Sequence, residues 1–276
     1  MATPLSLQRF LLAGQCAASV LLTILCVLPI LSRSAFALEA VDETTKLSNG
    51  FSQPGIYMGR QIAPPMSYSG ADWLTRRSRA QEERPGELYD FLKLKAGQHV
   101  CDFGCGNGYH AFEMSKRVGP RGKVYAVDIQ SEMLDKLKRR TESRGIKNIH
   151  PILAKPKEPR LPVAALDLIL MVDVYHELSD PPTVLAQVKK SLKADGRLVL
   201  VEFREEDRDV PIRPLHKMSK SQVHRELTSQ AFVLSEQYDQ LPWQHVLVFG
   251  KKADKKRPAV KLAPWAANAE EDKTKG

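Results

Sequence analysis

The strongest constraint on this chain is an alternation. Between residues about 95 and 250, short apolar runs are followed repeatedly by amphipathic runs of helical period. Gln98-His-Val-Cys-Asp-Phe103, Lys123-Val-Tyr-Ala-Val-Asp128, Ile149 to Leu153, Leu166-Asp-Leu-Ile-Leu-Met-Val172 and Gly196 to Phe203 read as strands. The Leu166 to Val172 run is almost wholly apolar, as expected of a strand buried on both faces. Helices are expected over Tyr109 to Arg117, from Ser131 as N-cap to Gly145, from Asp180-Pro181, and over Ser219 to Thr228. Met133, Leu134 and Leu137 form the apolar face of the second; Val184, Leu185, Val188 and Leu192 form that of the third. Phe232 to Tyr238 and His245 to Phe249 make a terminal pair of strands. Strands and helices alternating at this spacing imply an α/β fold, a parallel sheet with helices on both faces. Ligands of such sheets bind at the carboxyl ends of the strands, near the switch in strand order.

The first strand ends in Asp102-Phe-Gly104-Cys-Gly106-Asn-Gly108, and a helix follows. Glycines let the backbone turn sharply and approach a ligand closely, and a helix N-terminus then presents free N–H groups to it. The second strand ends in Asp128, where a carboxylate can accept both hydroxyls of a ribose. The dinucleotide spacing G-x-G-x-x-G/A is not met, because counting from Gly104 places Tyr109 at the last position.

With these elements in order, residues about 85 to 250 resemble the class I S-adenosylmethionine-dependent methyltransferases, in the group that includes the ubiquinone-type enzymes. Asp102 to Gly108 is similar to their first motif, Val124 to Asp128 to the second, Asp167 to Asp173 to the fourth, and Leu192 to Leu200 to their late helix-turn-strand. The resemblance implies a Rossmann-like sheet of seven strands closed by an antiparallel hairpin, with S-adenosyl-L-methionine as cofactor. It makes Asp102, Gly104, Gly106, Gly108, Asp128, Ile129 and Asp173 the cofactor-binding candidates. By the same resemblance the glycines approach the methionine half, Asp128 the ribose and Ile129 the adenine, and Asp173 lies near the methyl group. One departure stands out. The family usually has an acid after the third strand, and Lys155 occupies that place; either Glu158 substitutes, or the adenine contact is made by backbone alone, or cofactor affinity is weakened. A lysine cannot accept a hydrogen bond from the adenine amino group.

Asp173-Val-Tyr175-His176-Glu177 follows the fourth strand, at the edge where a site belongs. His176, Asp173 and Tyr175 are the catalytic candidates: His176 as general base oriented by Glu177, Tyr175 lining an acceptor pocket. The bland alternative is that these polar residues cap the strand. Leu178-Ser-Asp180 breaks an H-E-x-x-H zinc motif, so no metal is expected there, nor at His99 and His110. Arg204 could hold an acidic acceptor or pair with Glu205 and Glu206, and His216 and Met218 lie in an insertion suited to acceptor recognition.

The flanks complete the expected organisation. Arg9 precedes an apolar run from Phe10 to Leu31, and Ala35-Phe-Ala37 resembles a cleavage site, so residues 1–37 are expected to be a signal that exports the protein. An uncleaved anchor with a cytosolic domain is the alternative. Residues 38–90 form an arm over the site, residues 91–250 the methyltransferase domain, and residues 251–276 a basic disordered tail. In the arm, either Trp73 and Arg60 form a lid, or Trp73 and Leu74 dock on the core with Arg76, Arg77 and Arg79 solvated. Cys101 and Cys105 are expected to be free thiols, the first inside a strand, the second in the glycine loop. The net charge of +9 suits an acidic partner or membrane surface, which the tail could touch, without establishing one. Three functions follow: methyl transfer to a small or lipophilic acceptor, a binding module with a degenerate site, or nucleic-acid methylation. The last is disfavoured, since no base-modifying motif follows the fourth strand.

Overall fold

The computed structural model describes residues 55–251. The signal or anchor expected over 1–37, the start of the arm and residues 252–276 of the tail lie outside the described residues. A small antiparallel ribbon comes first, β1 (Ile56–Tyr57) and β2 (Arg60–Gln61), followed by a 3-10 turn over Tyr68–Thr75. The helices α1 (Arg79–Glu82) and α2 (Pro85–Leu92) lead into the alternating region. That region runs β3 (His99–Phe103), α3 (Tyr109–Val118), β4 (Lys123–Asp128), α4 (Ser131–Ser143), β5 (Ile149–Leu153), β6 (Leu166–Val172), α5 (Pro181–Ser191) and β7 (Leu192–Arg204). It ends in β8 (Lys217–Met218), α6 (Lys220–Ser229), β9 (Phe232–Tyr238) and β10 (Gln244–Lys251).

The sheet order is β5-β4-β3-β6-β7-β10-β9, with the two-residue β8 added against the end of β7. The strands β5, β4, β3, β6 and β7 are parallel, and β10 runs antiparallel to both β7 and β9. This is the expected sheet with its closing hairpin. The chain builds outward from β3 through β4 to β5, then returns to lay β6 on the other side of β3. The crevice of an open α/β sheet therefore sits at the carboxyl ends of β3 and β6.

β6 shows why its sequence is apolar throughout. Ile169 and Met171 pack on one face with α5 and α6, Leu168 and Leu170 on the other with α2, α3 and α4, and all four are fully buried. Each such side chain contributes about 1.5–3 kcal/mol by leaving water. Three local details differ from expectation. Gln130 occupies the N-cap of α4, while Ser131 is the first helical residue and bonds Glu132 instead. The bulge in β7 pairs Leu166 with Leu192 and Leu168 with Arg197, so the helix-turn-strand expected over Leu192 to Leu200 lies within one strand that carries an outpocketing. The helix α2 was not expected as such. Pro85 at its first position sets φ for a helix, and Arg84 turns the chain at φ 43° to start it.

The arm is tied to the sheet by buried charge. Arg60 donates to Glu226 through Nε (2.7 Å) and Nη2 (3.1 Å), and to the carbonyl of His176 through Nη1 (3.0 Å). Fully buried Glu226 also accepts from Tyr175 Oη at 2.8 Å and Gln222 Nε2 at 2.6 Å. Replacing Glu226 by Ala strands a guanidinium and a phenol together. Glu226→Ala should cost about 3–5 kcal/mol of stability in urea unfolding, and Tyr175→Phe about 1 kcal/mol. Equal losses for the two variants would show that Arg60 does not depend on Glu226.

Candidate active site

The glycine loop after β3 is built as its sequence demands. Gly104, Gly106 and Gly108 have φ of 73°, 52° and 89°. A Cβ would lie 2.4 Å from Val174 Cγ2 at Gly104 and 2.5 Å from Leu74 Cδ1 at Gly106. Conformation favours glycine at both, and at Gly104 the branched Val174 side chain leaves no room for a Cβ as well. The loop is strapped to the neighbouring strand: the N–H groups of Gly104 and Cys105 donate to Val127 O, at 2.8 and 2.9 Å. Asp128 holds it from the other side, accepting from Gly106 N at 2.8 Å through Oδ2 and from Gln130 N at 2.9 Å through Oδ1. Burial raises the Asp128 pKa, and these backbone N–H groups restrain the rise. Asp128 is therefore a brace of the loop as well as a candidate ribose ligand. Ile129 beside it is half-buried against the core, with its neighbour Gln130 fastened to the arm.

Two further acids reach the crevice. Asp102 is buried and takes the N–H of Ala111, but its Oδ2 has no hydrogen-bond partner among the described residues. Burial, with Asp128 nearby, pushes its pKa up to about 7. Asp173 follows β6 at φ 54°, a left-handed conformation that costs a non-glycine residue strain. Its Oδ2 accepts from Gln244 Nε2 at 2.7 Å, while its Oδ1 has no partner among the described residues. Burial holds its pKa well above the usual carboxylate range, reinforced by Glu83 and Glu202.

His176 lies next along the loop. Its Nδ1 is 2.7 Å from Glu202 Oε2, and the other oxygen of Glu202 accepts from Tyr175 N at 2.9 Å. The orienting carboxylate is thus Glu202 and not Glu177, as the sequence suggested. Burial disfavours the imidazolium, but Glu202 outweighs it, and the His176 pKa is raised. On its other side, His176 Nε2 is 3.1 Å from His216 Nδ1. Glu177 is pushed up to about 7 by burial. Tyr175 does not line an acceptor pocket: it is fully buried, with its hydroxyl engaged by Glu226.

Other expectations are revised by packing. Arg204 meets no acceptor; it grips the carbonyls of Asp239, Leu241 and Gln244 at 2.5–3.0 Å and so secures the β9–β10 connection. Met218 is buried in the core, whereas His216 does reach the site. Lys155 and Glu158 pair with each other at 3.5 Å in an exposed turn. The arm combines both of its readings. Leu74 covers Gly106, Asn107 Nδ2 donates to Ala71 O at 2.9 Å, and Arg76 stacks on half-exposed Trp73. Arg79, expected in solvent, is buried and bonded to Glu83, to Leu74 O and to His110. Since a guanidinium only donates, His110 Nε2 accepts and its Nδ1 proton faces Tyr89 Oη at 2.9 Å. Arg79 and Tyr89 thus occupy the two ring nitrogens of His110. Cys101 and Cys105 are free and buried.

Glu202, which ends the fifth strand facing the cleft, takes an unexpected role in orienting His176, and Gln244, Glu83 and Arg79 were not expected at the site. A glutamate inside the apolar run Leu198-Val-Leu-Val-Glu-Phe203 was the one available signal. The crevice is acid-lined, with unpartnered carboxylate oxygens and a loop shaped for close approach. It therefore fits a ligand with a cationic centre beside a ribose, as the sulfonium of S-adenosylmethionine is.

Two substitutions test this electrostatic reading. An acid whose folded pKa lies above its unfolded value favours folding most at low pH, and that contribution is lost as pH rises from about 4 to about 7. Asp102→Asn should thus gain stability over the parent at pH 8, and that gain should shrink as pH falls and be almost gone by about pH 4, in urea unfolding of the ligand-free protein. Asp128→Ala should cost about 1–3 kcal/mol because two backbone N–H groups lose their acceptor. An unchanged midpoint would mean that the loop holds itself.

The likeness to known proteins agrees with this geometry. A family model described as a methyltransferase domain matches residues 94–254. A structure described as a SAM-dependent methyltransferase from Aquifex aeolicus superposes with a TM-score of 0.64 at 27% identity, over 67% of this chain and 98% of that one. Aklanonic acid methyltransferase DauC of Streptomyces sp. (strain C5) is 29% identical over 111 residues, 40% of this chain and 50% of that protein. Demethylmenaquinone methyltransferase of Lactococcus lactis subsp. lactis (strain IL1403) is 28% identical over 45% of this chain and 47% of its own length. The chain spans about half the length of these two curated relatives. Its sheet order, its glycine loop and the match over residues 94–254 place the chain in the methyltransferase domain family, in the class I S-adenosylmethionine-dependent group.

Proposed function

We propose that the protein transfers a methyl group from S-adenosylmethionine to a small or lipophilic acceptor at the carboxyl edge of β6 and β7. The observation that carries this is the pair of buried, unpartnered carboxylate oxygens, Asp102 Oδ2 and Asp173 Oδ1, flanking the glycine loop. Buried charge without a partner is costly, and a cationic ligand offsets that cost. When bound, the cofactor supplies an electrophilic methyl on its sulfonium. Asp102 and Asp173 balance its charge. The Gly104 to Gly108 loop admits its methionine half, and the remaining lone pairs of Asp128 accept from its ribose. Ile129 offers an apolar surface to the adenine. Lys155, engaged with Glu158, makes no part of this contact. His176 acts on the acceptor side, its ring held by Glu202 with Nε2 turned away from that carboxylate.

Relatives named for aklanonic acid and demethylmenaquinone support a small-molecule acceptor over a nucleic acid. Calorimetry with S-adenosylmethionine and its demethylated product is the direct test. Micromolar binding is expected. Asp173→Asn should weaken it by about 1.5–3 kcal/mol, the range for hydrogen bonds to charged groups. Binding to the wild type without turnover on any acceptor would favour a module that has kept the fold and lost the chemistry. Absence of binding would sink both readings.

A further inference from the structure

The loop after β6 and the insertion before β8 bring two imidazoles and a carboxylate together, and nothing in the methyl-transfer reading uses the trio as a unit. His176 Nε2 is 3.1 Å from His216 Nδ1 and 3.8 Å from Glu177 Oε1, and His216 Nδ1 is 3.9 Å from the same Glu177 oxygen. A point equidistant from the three atoms lies about 2.1 Å from each, the usual length of zinc–nitrogen and zinc–oxygen bonds. All three ligand atoms lie within 4.8 Å of one another.

We infer that His176, Glu177 and His216 bind one divalent transition-metal ion of the zinc class, with Glu202 setting the orientation of His176. The donor set is two imidazole nitrogens and one carboxylate oxygen, which suits zinc and its neighbours better than calcium or magnesium. Glu202 takes the place that a carboxylate occupies behind a metal-bound histidine. At 2.7 Å from Nδ1 it accepts the Nδ1 proton, so the lone pair of His176 is on Nε2, facing the trio. Charge is balanced as well. Glu177 and Glu202 offset a dication, while the nearby Arg60 is already matched by Glu226. The third ligand is held in place, because the N–H of Met66 bonds the Glu177 carboxylate. The fold explains how the ligands meet. β8 pairs with the end of β7, Lys217 against Phe203 and Met218 against Arg204, which draws His216 to the strand end carrying Glu202. Three protein ligands leave a coordination position for an oxygen ligand, water or an acceptor hydroxyl. His176 then acts through a metal and not as a proton acceptor. The metal site itself does not depend on which acceptor is used, or on turnover.

The spacing His176-Glu177 followed forty residues later by His216 matches no short zinc signature, so the breaking of H-E-x-x-H pointed away from this site. The test uses the full chain without tag histidines, freed of metal by chelation and titrated with zinc chloride by calorimetry, with cobalt(II) absorption as a second readout. One equivalent should bind, and the thermal midpoint should rise with zinc. His216→Ala and Glu177→Gln should lose the saturable site. Glu202→Gln should weaken it by about 10–100-fold, and His150→Ala, on β5, should leave it unchanged. Circular dichroism establishes that each variant is folded; if His216→Ala is not, His216→Gln replaces it. No saturable binding by the wild type, or wild-type binding by folded His216 variants, would overturn the inference. Metal binding is measured without cofactor or acceptor, so its outcome is separate from that of the methyl-transfer experiment.

Discussion

Negative charge crowded at one edge of the sheet governs much of this structure. β3, β4, β6 and β7 each deliver a carboxylate to the same side: Asp102, Asp128, Asp173 and Glu202. Asp102, Asp128 and Glu202 are buried outright, and Asp173 has one oxygen sealed from solvent. Parallel strands place their carboxyl ends together, so the crowding is a consequence of topology. Each acid then needs a compensating partner, and the surroundings can be understood by how that need is met. Asp128 is met by backbone N–H groups of the glycine loop, Glu202 by Tyr175 N and His176, and Asp173 in part by Gln244. Asp102 Oδ2 and Asp173 Oδ1 are left without a hydrogen-bond partner among the described residues.

The arm belongs to the same arrangement. Its arginines do not sit in solvent. Arg79 pairs with Glu83 beneath the glycine loop, and Arg60 pairs with Glu226 beneath the loop that carries His176. Leu74 lies against Gly106, and residues 66–68 are pinned to Gln130 by two hydrogen bonds, to the Tyr68 N–H and the Met66 carbonyl. A single chain segment thus covers both the glycine loop and the loop that carries His176.

Much of the fold was legible. The limits of β4, β5, β6 and β9 coincide with runs readable in the sequence, since period and apolar content reflect burial directly. So was the glycine loop, whose Gly104, Gly106 and Gly108 all take positive φ and would each crowd a neighbouring side chain with a Cβ. What escaped was pairing across long separations. Arg204 read as a residue for an acidic acceptor or for its neighbours Glu205 and Glu206, because the carbonyls it grips lie 35–40 residues away, and the burial of Arg79 against His110, thirty-one residues on, left no local sign. Tyr175 read as a pocket residue because its partner, Glu226, is fifty-one residues away.

The sequence by itself determined the layers of the sheet, the place of the cofactor loop and the acids at the strand ends. Those follow from local periodicity and from residue types with narrow backbone preferences. Only the tertiary structure decided which partners those acids and histidines meet. Glu177 lost its expected role as orienting base to Glu202, and His216 joined His176, because β7 carries Glu202 alongside the end of β6 and β8 pairs with β7. Strand pairing sets such meetings through backbone geometry, and the identity of the side chains that meet leaves no periodic trace in the chain.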